Sequence, residues 1–218
     1  MTMTDGQAER LAGDSRAELA TACRMIIDEL ASSTAQSDAF AQARNLVQDA
    51  VAILAAADHG RAYDGGEGSL ADYQEHVFLD HSPLIGPLNP LAAPITISFV
   101  GMAVVGNVTF GAAYEGPPGC VHGGFIAAGF DEMLGIAQGM SGRPGMTARL
   151  TVNYRSPTPL LQPLRFVGGI DNIDGRKIFT KGELRTVADD RLCAEAEALF
   201  ISMKPEFFQR MVSDREEP

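Results

Sequence analysis

The run Val121–Met140, VHGGFIAAGFDEMLGIAQGM, constrains the fold of this chain more than any other stretch. Phe125, Ile126, Ala127, Ala128, Phe130, Met133, Leu134, Ile136 and Ala137 fall on every side of a 3.6-residue helix. A helix with no wet face is buried all round, so other elements must curl about it. The flanking sequence has a different period. Ile95–Phe110 alternates and is β-branched, which predicts a long strand or hairpin. Thr147–Tyr154, Leu164–Ile170, Lys177–Val187 and Leu192–Met203 alternate likewise, separated by Pro157, Pro159 and Pro163, by Asp174-Gly175 and by Asp189-Asp190. Asp174-Gly175 is the strongest hairpin signal in the chain. One apolar helix followed by consecutive strands predicts an α+β fold, an antiparallel sheet wrapped around one long central helix.

The N-terminal part reads as a helical extension. Leu19, Met25, Ile26 and Leu30 mark a first helix; ASSTAQSD is a polar break in which Ser37 or Asp38 is placed to cap a second. Phe40, Ala43, Leu46, Val47, Ala50, Val51 and Leu54 form the stripe of that second helix, which ends near Asp58-His59-Gly60. Such a pair suits a cap or a dimer-packing extension. From Tyr63 to Pro94 glycine and proline predict loop, with a short strand at His76–Leu79. The expected division is a helical extension at 1–62, a central domain at 63–205 and a tail at 206–218.

Composition excludes several classes. At 218 residues, 45% hydrophobic and 21% charged, the chain has the balance of a globular protein. No apolar run approaches the ~20 residues of a membrane span. The start MTMTDGQAER has neither basic nor apolar leader character, and three cysteines are too few for a disulfide framework, so a cytoplasmic setting is expected. A net charge of −11 argues against nucleic acid and anionic membranes. Residues 141–191 nonetheless hold nine Lys/Arg against five Asp/Glu, a local surplus that suits either a small anionic ligand or a solvated strand face.

Two acids, Asp131 and Glu132, sit inside the dry helix, where an unpaired charge costs several kcal/mol. Around them Ala127, Ala128, Gly129 and Gly135 leave room for a ligand or for another backbone. Just upstream, His122-Gly123-Gly124 opens the helix, where free N–H groups and the positive end of the helix dipole favour a developing oxyanion. Acyl transfer needs such donors and a carboxylate near one carbonyl carbon. Gly123 and Asp131 are eight residues apart, ~12 Å along a helix. One chain cannot bring both to one carbonyl, whereas two antiparallel copies related by a two-fold axis do so twice. The constellation predicts a homodimer with paired sites at its interface.

GPPGCVHGGFIAAGFDEMLG followed by GMTARLTVNYRSPTPL resembles the hotdog-fold acyl-CoA thioesterases, more narrowly the phenylacetate-pathway type and its mammalian thioesterase-superfamily relatives. The resemblance covers about residues 76–203. It implies a hotdog fold, hydrolysis of an acyl-CoA thioester to free acid and CoA, no cofactor, and a homodimer in which acid and glycine come from different subunits, with a dimer of dimers left open. By position, Asp131 matches the general base or nucleophile, the Gly123 amide the oxyanion donor, His122 a residue shaping that turn, and Thr147 a hydroxyl that places the acid or the water. Gly124, Asn153 and Arg155 are the expected substrate contacts, Arg155 toward the CoA phosphates. Many members carry an Asn where this chain has Gly116.

The rival readings are few. Cys120 beside His122 suggests a cysteine nucleophile, but no third orienting group is marked. His76, Asp80 and His81 present only two convergent ligands along a strand, so no metal site is expected. No serine-hydrolase elbow or nucleotide-binding glycine motif is present. A non-hydrolytic acyl-CoA binder and a hydratase on the same fold remain alternatives.

Overall fold

The computed structural model describes residues 11–57, 77–93, 95–143 and 145–204. Helix α1 spans Ser15–Ser32, α2 Ser37–Ala55 and α3 Gly123–Gly139. The strands are β1 Thr96–Val100, β2 Ala103–Val108, β3 Gly145–Tyr154, β4 Leu164–Asp174, β5 Lys177–Thr186 and β6 Leu192–Ser202. They form one antiparallel sheet in the order β1-β2-β4-β5-β6-β3. The chain leaves β2, runs through α3 to the far edge as β3, then returns beside β2 and meanders back. Between β4 and β5 the loop is Gly175-Arg176, with the positive φ of +56° on the glycine.

Alternation decides which face is covered. Val104, Val108, Leu164, Phe166, Ile178, Leu184, Ala194, Ala196, Ala198 and Phe200 are buried and point toward α3, which packs on β2, β4, β5, β6 and β3. The alanine row on β6 lets the helix approach closely. Gly106 and Gly168 are notches in the same face: a Cβ would lie 2.7 Å from Met133 Sδ at Gly106, and 2.9 Å from Leu134 Cδ2 at Gly168. Phe130 stacks edge-on against Phe166 at 5.1 Å. Burial of Met133, Leu134 and Phe130 stabilises this layer by roughly 1.5–3 kcal/mol per side chain. A long helix backed by a six-stranded antiparallel sheet is the hotdog arrangement that the resemblance implies.

Three expectations are corrected. Helix α3 is not buried all round: it is covered on its sheet side, while Gly124, Ala128, Asp131, Gly135 and Gly139, one helical stripe, remain half-buried or exposed. The apolar composition is real, but small residues on this side leave an open groove. The expected strand at His76–Leu79 is instead a 3-10 turn at Val77–His81, His76 lying outside the described residues. The N-cap of α2 is Gln36, without a side-chain capping bond, so neither Ser37 nor Asp38 fills that role. Helix α1 has a true cap, Asp14, whose carboxylate accepts from the Arg16 and Ala17 N–H groups. The boundaries near 62 and 205 and the first part of the expected loop, up to residue 76, lie outside the described residues. No helix among the described residues is long and apolar enough to cross a membrane.

The two N-terminal helices differ. Helix α1 docks on the domain through Ala20 and Arg24, whose guanidinium donates to the carbonyls of Pro87 and Asn89 at 3.3 and 3.0 Å. Helix α2 buries no residue, with Leu46 71% and Ile53 74% exposed.

Candidate active site

The turn before α3 is built from outside the helix. Glu115 and Val121 bridge, as do Cys120 and Pro159, and the Val121 N–H donates to the Thr158 carbonyl at 2.9 Å. This staples the GPPGC segment to the loop after β3. Next, the His122 N–H donates to the Tyr114 carbonyl at 2.9 Å. The Tyr114 ring meets Phe125 edge-on at 4.9 Å and Phe110 at 5.2 Å. Helix α1 lies behind this cluster, with Asp28 against Gly111, where a side chain would collide with its carboxylate, and Arg24 beside Tyr114. Burial pushes the Tyr114 phenol up, and the nearby Arg24 charge pulls it partly back.

His122 is the N-cap of α3, with extended backbone at φ −62°, ψ 130°, and its Nδ1 accepts from the Gly124 N–H at 3.0 Å. An accepting Nδ1 places the ring proton of the neutral imidazole on Nε2. The N–H groups of Phe125 and Ile126 donate to the His122 carbonyl. Of the first N–H groups of the helix, the one on Gly123 has no hydrogen-bond partner among the described residues. It is the donor left for a ligand, at the positive end of a 17-residue helix. The Gly124 N–H, expected to contact substrate, is taken up by the cap. The same bond occupies His122 Nδ1, the nitrogen that a Cys120 nucleophile would need if it approached from that side.

Further along the open stripe, Asp131 Oδ1 accepts from the Thr147 hydroxyl at 2.9 Å. The second carboxylate oxygen makes no hydrogen bond among the described residues. Its neighbour Glu132 turns inward, and its Oε1 accepts from the Ser82 hydroxyl at 3.0 Å. Ser82 Oγ in turn accepts from the N–H groups of Leu84 and Ile85. Burial pushes the Glu132 carboxyl up from its ordinary value, the Ser82 bond pulls it down, and the Asp131 charge raises it further. The more enclosed acid of the pair is therefore Glu132, which anchors the loop 82–85 to α3.

Thr147 thus joins Asp131, and His122 joins Gly123, on one side of the sheet. Asn153 and Arg155 do not. A bulge between Thr147 and Arg149 shifts the phase of β3, so Thr147, Leu150, Val152 and Tyr154 face α3 while Arg149, Thr151 and Asn153 face away. Asn153 lines a groove of about 660 Å³ on the outer face with Met102, Val167, Lys181, Glu195 and Glu197. Arg155 pairs with Glu195 on that face. The basic surplus of 141–191 is resolved similarly: Arg165 pairs with Asp190, Lys181 with Asp171 and Glu197, and Arg185 with Glu183, as a salted strand surface does.

The sequence reading missed Tyr154. It faces α3 in place of Asn153, and its hydroxyl donates to the Gly123 carbonyl at 2.8 Å. The ring lies flush with Gly123, where a Cβ would sit 3.3 Å from it. Gly116 is equally constrained: a Cβ there would lie 2.7 Å from His122 Cα. An Asn at this position, which many members of the resembled family carry, does not fit this turn without moving His122. Asp80 and His81 of the weighed metal cluster lie on the 3-10 turn, and no group of three metal-binding side chains occurs among the described residues.

No family model matches the chain. Among curated proteins it is 42% identical over 91 residues to the acyl-coenzyme A thioesterase THEM4 of Xenopus laevis, covering 42% of this chain and 41% of that protein. It is 38% identical over 95 residues to THEM4 of Mus musculus, covering 42% and 40% respectively. The chain thus spans about two-fifths of the length of the curated relatives it matches. A crystal structure of a thioesterase superfamily protein superimposes with a TM-score of 0.73 at 34% identity, over 87% of this chain and 96% of that one. With that identity sustained over nearly the whole of a solved relative, the chain belongs to the thioesterase superfamily.

Proposed function

We propose that this protein hydrolyses acyl-CoA thioesters to the free acid and CoA, at two equivalent sites formed between two copies of the chain. The observation that carries the reading is the Gly123 N–H at the start of α3, without a hydrogen-bond partner among the described residues, with Asp131 on the open stripe of the same helix about two turns further along. The curated relatives named acyl-coenzyme A thioesterase support the choice of substrate class. The open stripe of Gly124, Ala128, Asp131, Gly135 and Gly139 admits the backbone of a second α3, and β3 is an edge strand whose outer hydrogen-bonding side faces no other strand of the sheet. An exposed edge of this kind pairs readily with a copy of itself.

In this arrangement the thioester carbonyl oxygen lies against the Gly123 N–H of one chain, and Asp131 of the other approaches the carbonyl carbon. Asp131 either takes a proton from the attacking water or adds to the carbonyl itself, Thr147 holding one of its oxygens in place. The negative charge that develops on the carbonyl oxygen is met by the N–H and the helix dipole. Collapse of the tetrahedral species breaks the carbon–sulfur bond, and CoA leaves as thiolate or thiol. When water is the nucleophile the free acid is formed in the same step; when Asp131 is the nucleophile the resulting acyl–Asp131 anhydride is cleaved by a water molecule to release the acid and restore the carboxylate.

Release of free thiol from acetyl-, phenylacetyl- and palmitoyl-CoA tests the reading. The wild-type chain is expected to turn over at least one of them. Asp131→Asn is expected to lower kcat by ~10²–10⁴ with unchanged thermal unfolding. Binding of all three without thiol release, or full activity in Asp131→Asn, overturns it.

A further inference from the structure

We propose that Tyr154 is a positioning residue for the oxyanion donor, acting with His122 as a two-ended clamp on the peptide that links Gly123 to Gly124. This rests on the reading of Gly123 as that donor.

That peptide is one rigid plane carrying the Gly123 carbonyl and the Gly124 N–H. Tyr154 Oη donates to the carbonyl at 2.8 Å, and the N–H donates to His122 Nδ1 at 3.0 Å. Both ends of the plane are held by side chains from outside the helix ladder. The preceding plane, which carries the Gly123 N–H itself, is held at its other end by the Phe125 N–H, which donates to the His122 carbonyl at 3.0 Å. The two planes meet at Gly123 Cα. With no Cβ on either glycine, the backbone there has more conformational freedom than at other residue types, so the direction of the Gly123 N–H depends on holding both planes. Tyr154 adds a second donor, from outside the helix, to a carbonyl that the helix ladder engages only through its i+4 bond. Its ring also lies against Gly123 and fills the space that a side chain would take. No group of the chemistry requires Tyr154 to touch substrate, which separates its role from those of Gly123 and Asp131.

The test uses the full-length protein and two readouts, thiol release from acyl-CoA and NMR-resolved hydrogen exchange of the Gly124 amide. In Tyr154→Phe, which keeps the ring, kcat is expected to fall about 10-fold with KM within about 2-fold. Gly124 exchange is expected to accelerate by about 10-fold as the plane loosens. His122→Ala is expected to do the same, and His122→Asn, which restores a capping acceptor, to recover most of the loss. The double variant Tyr154→Phe/His122→Ala is expected to lose little more than the worse single one, because both side chains hold one plane. Unchanged Gly124 exchange in Tyr154→Phe, or losses in kcat that multiply in the double variant, overturns the clamp. If the wild-type protein releases no thiol, the functional reading fails, while the exchange measurement still decides the clamp.

Discussion

Gly116→Ala is a single-methyl perturbation whose effect follows from distances. The added Cβ would lie 2.7 Å from His122 Cα and 3.0 Å from its Cβ, where ordinary contact begins at 3.4 Å. His122 must therefore retreat by about 0.7 Å, or the segment 115–121 must yield. That segment is stapled by the Gly116 N–H donating to the Cys120 carbonyl at 2.9 Å and by the Glu115–Val121 bridge, and His122 is tied to the Tyr114 carbonyl. Neither side is the far end of a flexible side chain. Overpacking of this sort costs about 1–3 kcal/mol, which lowers Tm by ~2–12 °C depending on how much of the chain unfolds together. Since His122 sets the start of α3, the Gly123 N–H moves with it, and, with that N–H as the proposed oxyanion donor, a shift approaching 1 Å is expected to lower kcat by up to ~10². Calorimetry or a thermal melt gives the first quantity and thiol release from acyl-CoA the second. A Gly116→Ala protein that melts and turns over like the wild type refutes the claim that this turn is rigid and matters for the chemistry.

Other outcomes follow from single contacts. Thr147→Val keeps the shape of the side chain and removes its bond to Asp131, so kcat is expected to fall about 10–100-fold, the weight of a hydrogen bond to a charged group; an unchanged kcat removes Thr147 from the site. Glu132→Gln keeps an acceptor for Ser82 and removes a carboxyl whose burial pushes it up. The folded chain holds that proton more tightly than the unfolded one, so the burden of ionising Glu132 is absent below its ordinary value of 4.5 and grows to completion as pH rises through the raised folded value. Glu132→Gln is therefore expected to raise Tm at neutral and alkaline pH and to leave it unchanged in acid; thermal melts showing the largest gain in acid contradict this. Cys120→Ser is expected to retain full thiol-release activity, and a large loss would revive a cysteine nucleophile.

The strands and the central helix were legible because their periodicity is a local property. Alternation over Lys177–Thr186 and Leu192–Ser202 marks the same faces that the sheet buries. Strict alternation fails in β3. Starting from Thr147 it selects Asn153, whereas the extra residue at the bulge between Thr147 and Arg149 turns Tyr154 to the helix side. A bulge is decided by pairing with β6, which no local pattern encodes. The reading of α3 as buried all round followed from its composition, but small residues satisfy an open groove as well as a packed core. Asp131 and Glu132 are adjacent and alike in sequence. What separates them is the loop at Ser82, fifty residues away, which closes over one and not the other. That His122 shapes the turn was expected, but its capping bond from Nδ1 was not legible, because a histidine accepts or donates according to its rotamer and its neighbours.

The most direct measurement is subunit complementation. Gly123→Pro deletes the one N–H in question at the first helical position, where the proline backbone is tolerated, the Tyr154 ring having to give by a few tenths of an ångström for the added Cβ at 3.3 Å. The extended backbone of His122, at ψ 130°, already suits a residue preceding proline. Gly123→Pro and Asp131→Asn homodimers are each expected to be inactive. A purified mixed dimer holding one chain of each kind contains one site with both groups intact and one with neither, if the two groups come from different chains. It is expected to release thiol from acyl-CoA at about half the wild-type rate. A mixed dimer as inactive as its parents would mean that both groups of each site reside on the same chain, and would contradict the account.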